Sequence, residues 1–253
     1  MKKWWVLFFV LSFCLVNAEN PSFPGSMNPG FWGFMGSTLE KGLPSEESSP
    51  ARSTDSLWLS VFWNNLNAIE DCNHFGVSSE WGHSFYRSAF LFSLLRMDSI
   101  YRAVTASGEF SFQKGHFNIG VGHLWRTEWL PGLDSWASHQ TKLGIHYNLW
   151  GGFSLGGLYI ISEEQNKWWG GLHWVSKSST NFFLEFGQGT LNLGQSINFG
   201  SITFQSVFSY PGPRIAAGLI ISFRSFIYGL GGYRNSNAFS SYSFHVNWNV
   251  SRP

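Results

Sequence analysis

From Leu191 to Phe223 bulky apolar side chains fall on every second position. The first set is Leu191, Leu193, Ile197 and Phe199, the second Ile202, Phe204, Phe208 and Tyr210, and the third Ile215, Ala217, Leu219, Ile221 and Phe223. Between them stand Asn192, Gly194, Ser196 and Asn198, then Ser201, Thr203, Gln205 and Ser209, then Ala216, Gly218 and Ser222. A period of two, held over segments of about ten residues and broken by minimal turns, predicts β-hairpins with two unlike faces. A soluble antiparallel sheet turns charges toward water. Here the polar face is Ser, Asn, Gln and Gly, and the apolar face is aromatic and branched. Such strands suit a wall with lipid outside and a crowded or wet interior.

The same reading from residue 84 onward predicts twelve strands, at about 84–97, 101–112, 115–125, 138–149, 153–161, 167–175, 181–187, 191–199, 201–210, 214–223, 225–233 and 240–250. Turn chemistry sits between them: Gly151-Gly152, Gln188-Gly189, Pro211-Gly212-Pro213 and Asn235-Ser236-Asn237. A ten-residue strand tilted by about 45° rises roughly 23–25 Å, the height of an outer-membrane apolar band. Connections alternate in length. Residues 126–137, 162–166 and 234–240 form a long set, while 113–114, 150–152, 176–180, 200 and 224 form a short one. Long loops outside and short turns inside are the habit of even-stranded bacterial barrels. The expected fold is an all-β, antiparallel transmembrane barrel of about twelve strands (ten to fourteen) over residues 84–253. It is preceded by a lead-in of short strands or a plug at 57–83 and an irregular Pro-, Gly- and Ser-rich segment at 19–56.

Composition agrees with this. Aromatics make up 19% of the chain against only 12% charged residues, a poor surface for a solvated domain of this size. The one long apolar run, residues 4–16, follows Lys2 and Lys3 and precedes Val16-Asn17-Ala18, so residues 1–18 read as a secretory signal cleaved near Ala18. Taking Lys2 and Lys3 from the 16 basic residues leaves 14 against 15 acidic ones, a net charge of −1. Nothing in that balance calls for nucleic acid. Past the leader Cys72 is the single cysteine and reads as a buried thiol.

Candidate chemistry is sparse. None of the eight histidines begins a His-x-Ser pair of the kind lipid-modifying barrels carry, and the best protease-like cluster, Glu128, Asp134 and His139, lies in a loop that attracts charge anyway. No catalytic, metal or cofactor site is expected. The functional residues expected instead line the lumen: His116, Asn118, Lys142, His146, Asn148, Glu185, Asn192, Asn198, Gln205, His245, Asn247 and Asn249. Among them Lys142, His146 and Glu185 are the strand-centre candidates for a charge constriction. The alternative is that these groups bond to each other or to the N-terminal segment and plug the interior. Trp125, Trp129, Trp150, Trp168, Tyr210, Tyr228 and Tyr233 fall near strand ends, where a lipid–water aromatic girdle belongs.

Over residues 84–250, the two-faced strands and the alternating closing strand Tyr242-Ser243-Phe244-His245-Val246-Asn247-Trp248-Asn249-Val250 resemble small bacterial outer-membrane β-barrel proteins. The chain departs from their usual aromatic ending by finishing Val250-Ser251-Arg252-Pro253. The resemblance implies a non-enzymatic, porin-like protein of the cell envelope with a structural, adhesive or small-solute pore role. Its partners would be outer-membrane lipid, periplasmic chaperones and the barrel-assembly machinery, with neither nucleic acid nor metal among them. The rival expectation is a secreted, soluble all-β carbohydrate-binding module, and below that an outer-membrane lipid-modifying or protease barrel.

Overall fold

A computed structural model describes residues 49–51, 56–65, 72–83, 85–97, 100–176, 180–211, 214–235 and 240–250. The expected signal at 1–18 and nearly all of the segment at 19–56 lie outside them. Fourteen strands follow one another around a closed antiparallel barrel. In chain order they are β1 (Leu57–Asn65), β2 (Cys72–His83), β3 (Tyr86–Met97), β4 (Tyr101–Lys114), β5 (Phe117–Trp129), β6 (Trp136–Asn148) and β7 (Phe153–Ser162), then β8 (Lys167–Val175), β9 (Thr180–Gly187), β10 (Thr190–Phe199), β11 (Ile202–Tyr210), β12 (Arg214–Phe223), β13 (Phe226–Asn235) and β14 (Ser240–Asn249). Every strand pairs with its sequence neighbours, and β1 meets β14 from Trp58 opposite Asn249 to Asn65 opposite Tyr242. One sheet that closes on itself is not the two-layer sandwich of a soluble binding module.

The strand count corrects the expectation of about twelve. The two extra strands are β1 and β2, from the stretch expected to be a lead-in or plug, and they complete the wall. Their alternation is blurred for a physical reason. Phe62 lies on the inner face, 6% exposed, packed against the bare backbone of Gly76 and edge-on to His74 at 5.2 Å. A bulky aromatic on the polar face hides the period of two.

Elsewhere the two faces separate cleanly. On β3, Arg87, Ala89, Leu91 and Ser93 are buried while Phe90, Phe92 and Leu94 are exposed. On β4, Ala103, Thr105, Ser107, Glu109 and Ser111 are buried while Phe110 and Phe112 are exposed. The buried set faces the lumen and the exposed set forms an apolar outer belt. Trp125, Trp129, Trp150, Trp168, Tyr210 and Tyr228 are all exposed; the side chain of Tyr233 lies outside the described residues. Connections at one end (66–71, 98–100, 130–135, 163–166, 188–189, 211–213 and 236–239) are on the whole longer than those at the other (84–85, 115–116, 149–152, 176–179, 200–201 and 224–225). The first and last strands begin and end at the short-turn side. The two-residue link between β9 and β10 holds Gln188 at φ 50° and Gly189 at φ 73°, the double left-handed turn that matches strand twist.

Leu219 shows how the alternation can be tested. It stands opposite Phe204 and Leu230, which are 52% and 55% exposed on the outer belt. Its neighbour Gly218 stands opposite Gln205 and Gly231 on the inner face. In lipid, Leu219→Arg is expected to cost about 2–4 kcal/mol of folding stability while Gly218→Ser is nearly neutral. Denaturant titration in vesicles checks both, and the reverse ranking would invert the faces of β12.

Candidate functional site

The interior is organised around one row of residues running across five strands. Glu80 of β2 stands opposite Ala89 of β3, which faces Glu109 of β4, then Gly122 of β5, then Lys142 of β6. Small residues alternate with charged ones, so the long side chains reach over them and meet. A side chain at Gly122 would lie 3.2 Å from both the Glu109 and the Lys142 stems.

The charges meet in a chain. Arg87, one inward position along β3 from Ala89, places Nε 2.9 Å from Glu80 Oε1 and Nη2 3.3 Å from Glu109 Oε2. Lys142 Nζ lies 2.5 Å from Glu109 Oε1. All four are buried, Lys142 completely. Two cations balance two carboxylates, so the layer carries no net charge. Such a network is tolerated only because each charge has an oppositely charged partner. Sequence reasoning named Lys142 but missed Arg87, Glu80 and Glu109, and so undercounted the charged candidates. Their signal was available in the inward parity of opposite charges on neighbouring strands.

A second feature sits beside this layer. Ser49, Pro50 and Ala51 are buried inside the barrel, against the inner face of β5 and β6. Gly120 and Gly144 stand directly opposite each other there. A Cβ on Gly120 would fall 2.4 Å from the Pro50 carbonyl, and one on Gly144 would fall 2.4 Å from Ser49 Oγ. Only glycine admits the segment at this depth. Arg87 Nη1 donates toward the Pro50 carbonyl at 3.5 Å, tying the segment to the charge layer.

Among the residues expected to line the lumen, Asn118, Lys142, His146, Glu185, Asn192, His245, Asn247 and Asn249 are buried on inward positions. Asn148, Asn198 and Gln205 are partly buried. His116 is not in the wall at all. It is exposed in the turn from β4 to β5, where its carbonyl accepts from Asn148 N at 2.8 Å. His146 lies two inward positions from Lys142, whereas Glu185 belongs to a separate group and accepts from Asn192 Nδ2 at 3.3 Å. Gly229 makes room for the His245 ring, which a Cβ there would overlap. The loop cluster of Glu128, Asp134 and His139 is divided by the wall. Glu128 faces inward and pairs with Arg126 at 2.7 Å, while His139 faces outward and stacks on His123 at 5.6 Å.

No family model matches the chain, and no curated protein sequence matches it. Solved structures do match. The toluene transporter TodX of Pseudomonas putida superposes with a TM-score of 0.65 at 10% identity, over 86% of this chain and 95% of that one. A TodX deltaS2S3 mutant, titled a monoaromatic hydrocarbon channel, gives 0.59 at 10% identity over 81% and 93%. Outer membrane protein Omp33 of Acinetobacter baumannii gives 0.55 at 5% identity over 77% and 98%. The fold is that of outer-membrane barrels. At these identities the likeness is one of architecture.

The charge layer makes a sharp stability prediction. Glu109→Gln strips Lys142 of that carboxylate and is expected to cost about 3–5 kcal/mol. Removing both partners, as Glu109→Gln with Lys142→Met, should cost clearly less than the sum of the single changes. Urea unfolding followed by tryptophan fluorescence would measure the cycle, and simple additivity would contradict the pairing.

Proposed function

We propose that this chain is an integral, non-enzymatic protein of the bacterial outer membrane that passes small polar solutes, closed in this state by residues 49–51. The observation that carries the reading is the seat of Ser49–Ala51 on Gly120 and Gly144 beside the buried charge layer. A wall whose outer belt is aromatic and whose inner face is charged and amide-rich supports placement in a membrane. The long-connection end then faces outward and the short turns face the periplasm.

The similar TodX structure is titled a toluene transporter, but the inner face here argues for a different cargo. Inward side chains such as Asn118, Gln205 and Asn247 hold buried amide atoms that have no hydrogen-bond partner among the described residues. Buried groups of this kind call for water or a polar solute. An apolar cargo would leave them unsatisfied. With the segment in place, Lys142, Arg87 and their carboxylates close the passage, and displacement of the segment would open a path past them.

Planar-bilayer recording tests this directly. The full mature chain should show little steady conductance, while deletion of residues 19–51 or Gly144→Val should produce stable open steps from a barrel that still shifts mobility on boiling. Equal conductance from all three forms would sink the plug. No mobility shift on boiling of the native chain would sink the membrane reading itself.

A further inference from the structure

The lumen already holds a piece of polypeptide, and the way it is held says what else would fit. Ser49, Pro50 and Ala51 are each less than 2% exposed, and what they lay on the wall is main chain. A Cβ at Gly120 would crowd the Pro50 carbonyl and come 2.7 Å from Ala51 N, and one at Gly144 would come 2.9 Å from Ala51 N. The seat therefore takes guest backbone directly against wall backbone.

What the seat offers is one-sided. Gly120 and Gly144 face each other in the ladder and pair on their far sides with Ser111 and Leu158, so their N–H and C=O groups lie in the plane of the sheet. The carboxylates of Glu80 and Glu109 are taken up by Arg87 and Lys142. What reaches the segment is Arg87 Nη1, 3.5 Å from the Pro50 carbonyl, and a guanidinium only donates. A guest backbone must therefore bring carbonyls and few free N–H groups. The segment meets this condition in two ways. Pro50 has no N–H, and Ala51 N donates to Ser49 Oγ at 3.2 Å. One inward position further along β5, Asn118 is fully buried, and both atoms of its amide lack a partner among the described residues. A side-chain amide offers an acceptor and a donor together, the complement of a peptide group. The tethered segment leaves it unused.

We infer that the polar cargo of this barrel is peptide: a short, proline-containing stretch with small neighbours, seated main chain first on Gly120 and Gly144. Its proline carbonyl sits on Arg87 and an adjoining peptide group pairs with Asn118. Residues 49–51 hold that place as a tethered stand-in. A free peptide that also engages Asn118 makes a contact the stand-in does not, which lets it compete with a segment favoured by its tether. The inference rests on the reading of residues 49–51 as the closing segment, and the test separates the two.

Full mature chains are recorded in planar bilayers, with acetyl-Ser-Ser-Pro-Ala-amide as the probe and acetyl-Ser-Ser-Ala-Ala-amide as its control. Pro50→Trp, too large for a seat in which Pro50 is already fully buried, should displace the segment and give open steps. The proline peptide should then block these steps at about tenfold lower concentration than the alanine peptide, whose added N–H is buried without an acceptor. Asn118→Leu in the Pro50→Trp background should raise the blocking concentration of the proline peptide about tenfold. Gly144→Val, which fills the seat as it expels the segment, should open steps that the proline peptide does not block. Three results would overturn the peptide site and leave the closing segment standing: equal block by the two peptides, an unchanged block after Asn118→Leu, or no block of a channel that Pro50→Trp has opened. Closed traces from Pro50→Trp protein that still shifts mobility on boiling would overturn both readings. Should Pro50→Trp fail to fold, block of the Gly144→Val channel by the proline peptide would count against the seat on its own.

Discussion

Closure of the sheet is the constraint on which everything else rests. In hydrocarbon an unpaired backbone N–H or C=O costs several kcal/mol, so a strand wall is viable there only without edges. The bond from Val250 N to the Leu57 carbonyl at 2.9 Å and the β1–β14 ladder supply the last such pairing. Once the wall is closed, each strand has two solvents, and the period of two sorts its side chains between them. An exposed Phe90 and a buried Arg87 three residues apart are both consequences of the same alternation.

Closure also creates the problem that the interior must solve. Fourteen strands enclose more room than inward side chains of ordinary size fill. The chain answers with long charged residues spaced by Ala89 and Gly122, and with its own residues 49–51 set on Gly120 and Gly144. Charge neutrality makes the first device possible and absence of side chains the second. The charge layer ends on β5 and β6, where residues 49–51 are seated, so the layer and the segment share that piece of wall.

Much of this was legible in the residues. From β3 onward the strand limits read from alternation lie within about four residues of those observed, because aromatic and branched residues fall mostly on the outer face, with Leu91, Ile160 and Val207 among the inward exceptions. β1 and β2 were not legible as wall because Phe62 turns inward over Gly76 and because β2 carries Ser78 and Glu80 amid polar neighbours. The lumen was legible as a face but not as a network. Parity tells which way Lys142 points, whereas its meeting with Glu109 depends on the register of β4, β5 and β6 and on a glycine between them. His116 was misplaced for a local reason: the β4–β5 turn takes Gly115, at φ 62°, together with the histidine after it. The glycines of Gly120-Val121-Gly122 make room for the chain's own backbone and charged stems.

That glycine-lined strip has an evolutionary corollary. A mould and the piece cast in it cannot drift independently. Any lineage that places a side chain at position 120 or 144 must also reroute or lose residues 49–51, and one that loses those residues releases both positions from their constraint. Paired change at these sites would separate the descendants into two populations, one self-occupied and one hollow, with the outer surface of the barrel untouched by the difference.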